Sequence, residues 1–133
     1  MNTLKPDIIV SCLSGNFNKQ LIAHIKIAEY LKKYGGRLYF FSTTNVFDGD
    51  FSSPHYEDNV PSSCTDYGRY KLECENKISE ILEEKAFILR LSQVWGKNSP
   101  RMKKLLSSLQ NNKDILVYPK LFCNTNIDII IAK

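Results

Sequence analysis

Tyr67 and Lys71 stand four residues apart in Tyr67-Gly68-Arg69-Tyr70-Lys71. On a helix that spacing stacks the two side chains on one face, with Cβ atoms roughly 5–6 Å apart. An ammonium beside a phenol favours the phenolate and lowers a pKa that otherwise sits near about 10. A tyrosine so placed gives or takes a proton near neutral pH. The plainer reading of the same residues is an amphipathic helix whose tyrosine packs and whose lysine snorkels. A second cluster of polar side chains, Ser42-Thr43-Thr44-Asn45, ends an apolar run beginning at Arg37.

Several elements must position these two pieces. Pro6 to Leu13 is a short β-branched run bounded by Pro6 and Gly15, the pattern of a strand buried on both faces of a parallel sheet. From Asn18 to Tyr34, Leu21, Ile25, Ala28 and Leu31 recur at helical spacing, and Gly35-Gly36 stops the helix. Arg37 to Ser42 is a second strand. Strand, helix and strand in about 35 residues make a βαβ unit, whose ligands bind beyond the carboxyl ends of the strands. Leu13-Ser14-Gly15 and Ser42-Thr43-Thr44 both fall there.

Asn45 to Ser62 is rich in turn residues and reads as a loop over a site. Ser63 or Thr65 caps the next helix, with Tyr67, Tyr70, Cys74, Ile78 and Ile81 as its buried stripe, Glu73 and Lys77 paired outside, and an end near Glu84. Ala86 to Leu91 is a third strand, followed by Val94-Trp95-Gly96. Ser99-Pro100 opens a helix to about Asn111. Ile115 to Tyr118 reads as a short strand, and the chain from Asn126 onward as a helix in preference to an Ile-rich strand.

The 133 residues suffice for one domain, residues 1–133, but are few for a complete nucleotide-dependent enzyme. The net charge of +4 comes from lysines and arginines interspersed with acidic residues, which does not suggest nucleic acid. No membrane span or signal peptide is evident, so no membrane partner is expected. Cys12, Cys64, Cys74 and Cys123 lack Cys-x-x-Cys spacing and neighbouring histidines; they read as reduced cytoplasmic thiols, with no disulfide or metal site. His24 and His55 stand alone and read as packing or surface residues. Phe47 and Trp95 either line a pocket or belong to the core.

Taken together, these segments resemble the extended short-chain dehydrogenase/reductase family. The narrower resemblance is to its dTDP-4-dehydrorhamnose reductase branch of sugar-nucleotide-binding oxidoreductases. It rests on Pro6-Asp7-Ile8-Ile9-Val10, on Phe41 to Gly49, on Tyr67 to Lys71, and on Leu89-Arg90-Leu91 with Val94-Trp95-Gly96. The resemblance implies an α/β, partial NAD(P)-binding Rossmann-like fold, a parallel sheet with flanking helices forming the C-terminal half of a doubly wound sheet. It makes Tyr67 the proton donor to a keto sugar in carbohydrate biosynthesis, and gives Lys71 the nicotinamide ribose and the lowering of the tyrosine pKa. Thr43, favoured over Ser42 by strand alternation and family register, would hydrogen-bond the carbonyl or developing alkoxide. NAD or NADP would lie along Leu13, Ser14, Ser42 and Lys71, and the substrate would be a nucleotide sugar. Tyr56-Glu57-Asp58 is similar to a family loop that enters the active site.

Two positions depart from the branch: Thr44 stands where it has Asp, and Asn45 where it has Tyr. A larger departure is that glycines 15, 35, 36, 49, 68 and 96 make no Gly-x-x-Gly-x-x-Gly phosphate loop. Pro6 to Val10 corresponds to the family's fourth strand, so the chain reads as a fragment whose isolated form is inactive. Without a first strand beside it, that strand has a bare edge, which points to self-association or a complementary chain. The rival readings are a non-catalytic binding or regulatory module of the same fold and a nucleotide-sugar epimerase or dehydratase.

Overall fold

The computed structural model describes residues 4–96, 98–115 and 124–126. The elements in order are β1 (Ile8–Ser11), α1 (Phe17–Tyr34), β2 (Arg37–Thr43), a 3₁₀ turn (Thr44–Phe47), α2 (Asp66–Leu82), a second 3₁₀ turn (Glu83–Lys85), β3 (Ala86–Leu91), β4 (Gln93–Trp95), α3 (Pro100–Gln110) and β5 (Asn124–Asn126). The chain divides into two compact units, with the boundary in sequence after Arg90.

In the first unit, β1, β2 and β3 form a parallel sheet in that order. Ile8 lies opposite Arg37 and Ser11 opposite Phe40. This is the order expected for the fourth, fifth and sixth strands of a doubly wound sheet. Side chains alternate across β2, so Leu38 and Phe40 meet Ala28 and Leu31 of α1 and Tyr70, Cys74, Ile78 and Leu82 of α2. Ile9, Ala86 and Ile88 pack against the same core. Both helices therefore cover one face of the sheet.

The expectation that the first strand is buried on both faces is corrected. Ile8 and Val10 are each 54% exposed, because they point away from the helix-covered face, and β1 is the sheet's edge. On β2 and β3, Tyr39 and Phe87 stack at 4.7 Å and 12°.

The helix boundaries follow local chemistry. Asn16 caps α1 by accepting from the Lys19 amide (3.1 Å), so the helix begins at Phe17, one residue earlier than expected. At the other end Gly35 adopts φ 88°, which a side chain would strain. Thr65, of the two candidates, caps α2 by accepting from the Gly68 amide. The buried stripe of α2 differs from expectation. Tyr67 and Ile81 are not buried, whereas Gly68, Lys71, Glu75 and Leu82 are, because the start of the helix leans on the end of β2. The Glu73–Lys77 pair is likewise replaced by Lys77–Glu80 (2.9 Å).

In the second unit β4 and β5 pair in parallel, with Gln93 opposite Asn124 and Trp95 opposite Asn126. α3 begins at Pro100 behind its Ser99 cap, as expected. Residues 116–118, where a strand is expected, and residues 127–133 lie outside the described residues; Asn126 closes β5.

Candidate functional site

The carboxyl end of β2 runs through Phe41, Ser42 and Thr43 into the 3₁₀ turn, and the first turns of α2 lie against it. Gly68 makes this approach feasible: a Cβ there would collide with the Ser63 hydroxyl and with the carbonyl oxygen of Asn45. The Thr43 side chain accepts from the Asn45 amide (3.2 Å) and lies where its hydroxyl favours the ionised form of the Tyr67 phenol. Tyr67 is 41% exposed. Lys71, one turn further along α2, is buried, donates from Nζ to the Phe41 carbonyl (2.7 Å) and lies over the ring of Phe40 (4.6 Å). Thr43, Tyr67 and Lys71 are thus gathered at the end of one strand. Leu13 and Ser14, which follow β1, are exposed.

The electrostatics differ from the expected pairing. Burial raises the Tyr67 pKa above its ordinary value, and the Thr43 hydroxyl offsets only part of that. Lys71 does not supply the expected lowering, because its ammonium is turned to the Phe41 carbonyl and sits 6.0 Å from the centre of the Tyr67 ring. Burial lowers Lys71, opposed by Cys74 and Glu75. The phenol is consequently protonated at neutral pH, the form that donates a proton.

Ser42, expected along the cofactor, turns its side chain into the fold. It is buried and its hydroxyl donates to Glu75 Oε1. Glu75 also receives Arg90 through Nε (3.1 Å) and Nη2 (2.8 Å) at Oε2. Sequence reasoning missed this pair. The signal was that Glu75 lies four residues beyond Lys71 and so shares its face, whereas Glu73 does not.

Below the site, Tyr70 packs rather than faces solvent. Its ring stacks on Phe17 (4.5 Å, 2°), and its hydroxyl donates to Gln20 Oε1 (2.9 Å). Burial pushes its pKa up, well beyond an ordinary phenol. His24 is a packing residue: buried, 2.7 Å from the Ser11 hydroxyl, edge-on to Phe40, its pKa lowered by desolvation. Phe47 is buried and stacks on His55 (4.7 Å, 9°). Of Trp95 only the backbone, in β4, is described. Cys12, Cys64 and Cys74 are free thiols. Among the described residues no acidic, histidine and cysteine side chains cluster as metal ligands, and no helix is long and apolar enough to cross a membrane.

Asp48 fastens the loop to α2. Its Oδ1 accepts from the Ser63 hydroxyl (2.7 Å) and the Cys64 amide (2.8 Å), and its Oδ2 from the Thr65 hydroxyl (2.5 Å). Partial burial would raise its pKa, but these bonds outweigh that and hold it below the usual value. A carboxylate depressed in the folded state contributes stability above its unfolded pKa, near about 4, that is lost as pH falls through the folded pKa. Asp48→Asn is therefore expected to cost about 1–2 kcal/mol at pH 7, with the gap from wild type closing below about pH 4 in parallel urea titrations.

A nicotinamide dinucleotide finds only part of a site here. The exposed Leu13-Ser14 shelf and the Lys71 ammonium are the groups that would hold its nicotinamide ribose. No phosphate cradle accompanies them among the described residues: Gly15, the glycine nearest the shelf, has φ 120° and open space around it, and it opens no glycine-rich turn.

Fold and strand-end residues together define a Rossmann-like α/β chain of the short-chain dehydrogenase/reductase kind. Residues 16–119 match the family described as RmlD substrate binding domain, and the chain belongs to that family. It is 33% identical over 92 residues to methionine adenosyltransferase 2 subunit beta of Xenopus tropicalis, covering 69% of this chain and 27% of that protein. It is 26% identical over 91 residues to dTDP-4-dehydrorhamnose reductase of Streptomyces griseus, covering 68% of this chain and 30% of that one. A dTDP-4-dehydrorhamnose reductase structure from Bacillus anthracis, in complex with NADP, superposes with a TM-score of 0.67 at 25% identity, over 82% of this chain and 43% of that chain. The chain thus spans under a third of the length of the curated relatives it matches.

Proposed function

We propose that this chain carries the acid–base half of an NAD(P)-dependent reductase site for a nucleotide-linked 4-keto sugar. The observation that carries the reading is the gathering of Thr43 and Tyr67 at the end of β2 with the Lys71 ammonium one turn along α2, 6.0 Å from the centre of the Tyr67 ring. In it, Thr43 orients the phenol, Tyr67 gives its proton to the sugar oxygen, and Lys71 holds the cofactor ribose. A bound nicotinamide supplies hydride. The isolated chain is inactive on this reading, because its glycines make no Gly-x-x-Gly-x-x-Gly loop to cradle the pyrophosphate. Its function then depends on residues from another segment or chain.

Titration with NADH and NADPH, followed by nicotinamide fluorescence, tests the cofactor half. Saturable binding that weakens at least about tenfold in Lys71→Ala is expected, since a charge-assisted contact is lost. Binding indifferent to Lys71→Ala overturns the assignment. In a preparation that turns over a keto sugar, Tyr67→Phe is expected to lower kcat by about 10²–10⁴-fold.

A second reading has its own support in the 33% identity to methionine adenosyltransferase 2 subunit beta. On it, the chain is a non-catalytic module in which Thr43, Tyr67 and Lys71 only stabilise the helix on the sheet. Tyr67→Phe then leaves every measured property unchanged apart from stability.

The free edge of β1 supports a partner. Among the described residues β1 pairs only with β2, so its other edge is a template for a further strand. Sedimentation is expected to show concentration-dependent association that Val10→Lys suppresses. A monomer at all concentrations counts against it.

A further inference from the structure

The loop after the first 3₁₀ turn is tied to the sheet through one guanidinium. Arg90 Nη1 donates to the Glu57 carbonyl (3.0 Å), and the group covers the Phe47 ring at 5.0 Å. Phe47 in turn stacks on His55, whose Nε2 donates to the Asp50 carbonyl (2.6 Å). Nε and Nη2 of the same guanidinium donate to Glu75, which takes the hydroxyl of Ser42, the neighbour of Thr43.

We propose that Arg90 and Glu75 are a positioning pair, a two-sided clamp that sets the Thr43 end of β2 and the loop segment 50–57 in one joint arrangement. Its functional meaning rests on the reading of Thr43, Tyr67 and Lys71 given above; the clamp itself touches none of the reacting atoms. The residue types suit this task. Arginine presents five donors in a rigid planar fork, enough to hold a carboxylate on one side and a backbone carbonyl on the other, whereas lysine is a point charge. The Glu75 side chain is 5% exposed and that of Arg90 22%. A buried pair of this kind is often no more stabilising than apolar residues of equal volume, so what it contributes is a defined geometry.

Amide exchange followed residue by residue in wild type and Arg90→Lys tests the clamp. Lysine keeps a positive charge beside Glu75 but cannot also hold Glu57. Exchange is expected to speed up about tenfold at Tyr56 and Asn59 in the loop and at Asn45, whose amide bonds to Thr43, while Ala28 and Leu31 of α1 stay within about twofold. No change at the loop overturns the proposal. So does a uniform acceleration that includes α1, which is the mark of a purely stabilising pair. Should Arg90→Lys fail to fold, Ser42→Ala leaves Arg90 intact and is expected to raise exchange at Asn45 and Tyr56 together by about two- to fivefold. Acceleration at Asn45 alone overturns the coupling. The measurement needs no nicotinamide, so its failure and a failure of the cofactor titration are separate results.

Discussion

Gly68→Ala is expected to destabilise the first unit by about 2–4 kcal/mol, the reverse of what the same change does in an ordinary helix. Gly68 lies in the first turn of α2, where alanine alone would favour the helix by about 1 kcal/mol. The added methyl, however, meets the Asn45 carbonyl and the Ser63 hydroxyl. Ser63 can turn aside, at the loss of its bond to Asp48; the carbonyl is backbone in the 3₁₀ turn and cannot. Relief requires α2 to lift from the end of β2, which separates Tyr67 from Thr43. Urea denaturation read by circular dichroism measures the sign. A variant as stable as wild type would mean that the turn and helix are not in the close contact described.

Glu75→Ala is expected to cost about 3–5 kcal/mol, because it leaves the Arg90 charge without its carboxylate and Ser42 without an acceptor. The double variant Glu75→Met with Arg90→Met separates charge from packing. Removing both ions at similar volume is expected to recover at least half of the loss, giving a coupling energy above about 1.5 kcal/mol. Additive effects would mean that the two side chains act independently. The two predictions probe one buried face of α2 two turns apart: Gly68 sets how near the helix comes to the turn, and Glu75 sets what it holds once there.

Much of this architecture was legible in the residues. The 3.6-residue recurrence of Ala28 and Leu31 gave α1, Gly35-Gly36 its end, and the apolar runs β1, β2 and β3, since period and punctuation are local properties. The types and spacing of Tyr67 and Lys71, with Thr43 at a strand end, were enough to nominate a site.

What the sequence alone could not decide was direction and environment. That β1 is exposed on one face follows from both helices covering the other, a fact of assembly that an apolar run does not encode. That Lys71 turns to the Phe41 carbonyl, and that burial raises rather than lowers the Tyr67 pKa, depend on what surrounds each group after folding. The clamp of Ser42, Glu75 and Arg90 joins residues 33 and 15 positions apart. Residue types, periods and caps act through near neighbours in the chain, so the sequence by itself determined the elements and the residues worth suspecting. Burial, charge pairing and hydrogen-bond choice arise between distant segments, so only the tertiary structure decided what each of those residues faces.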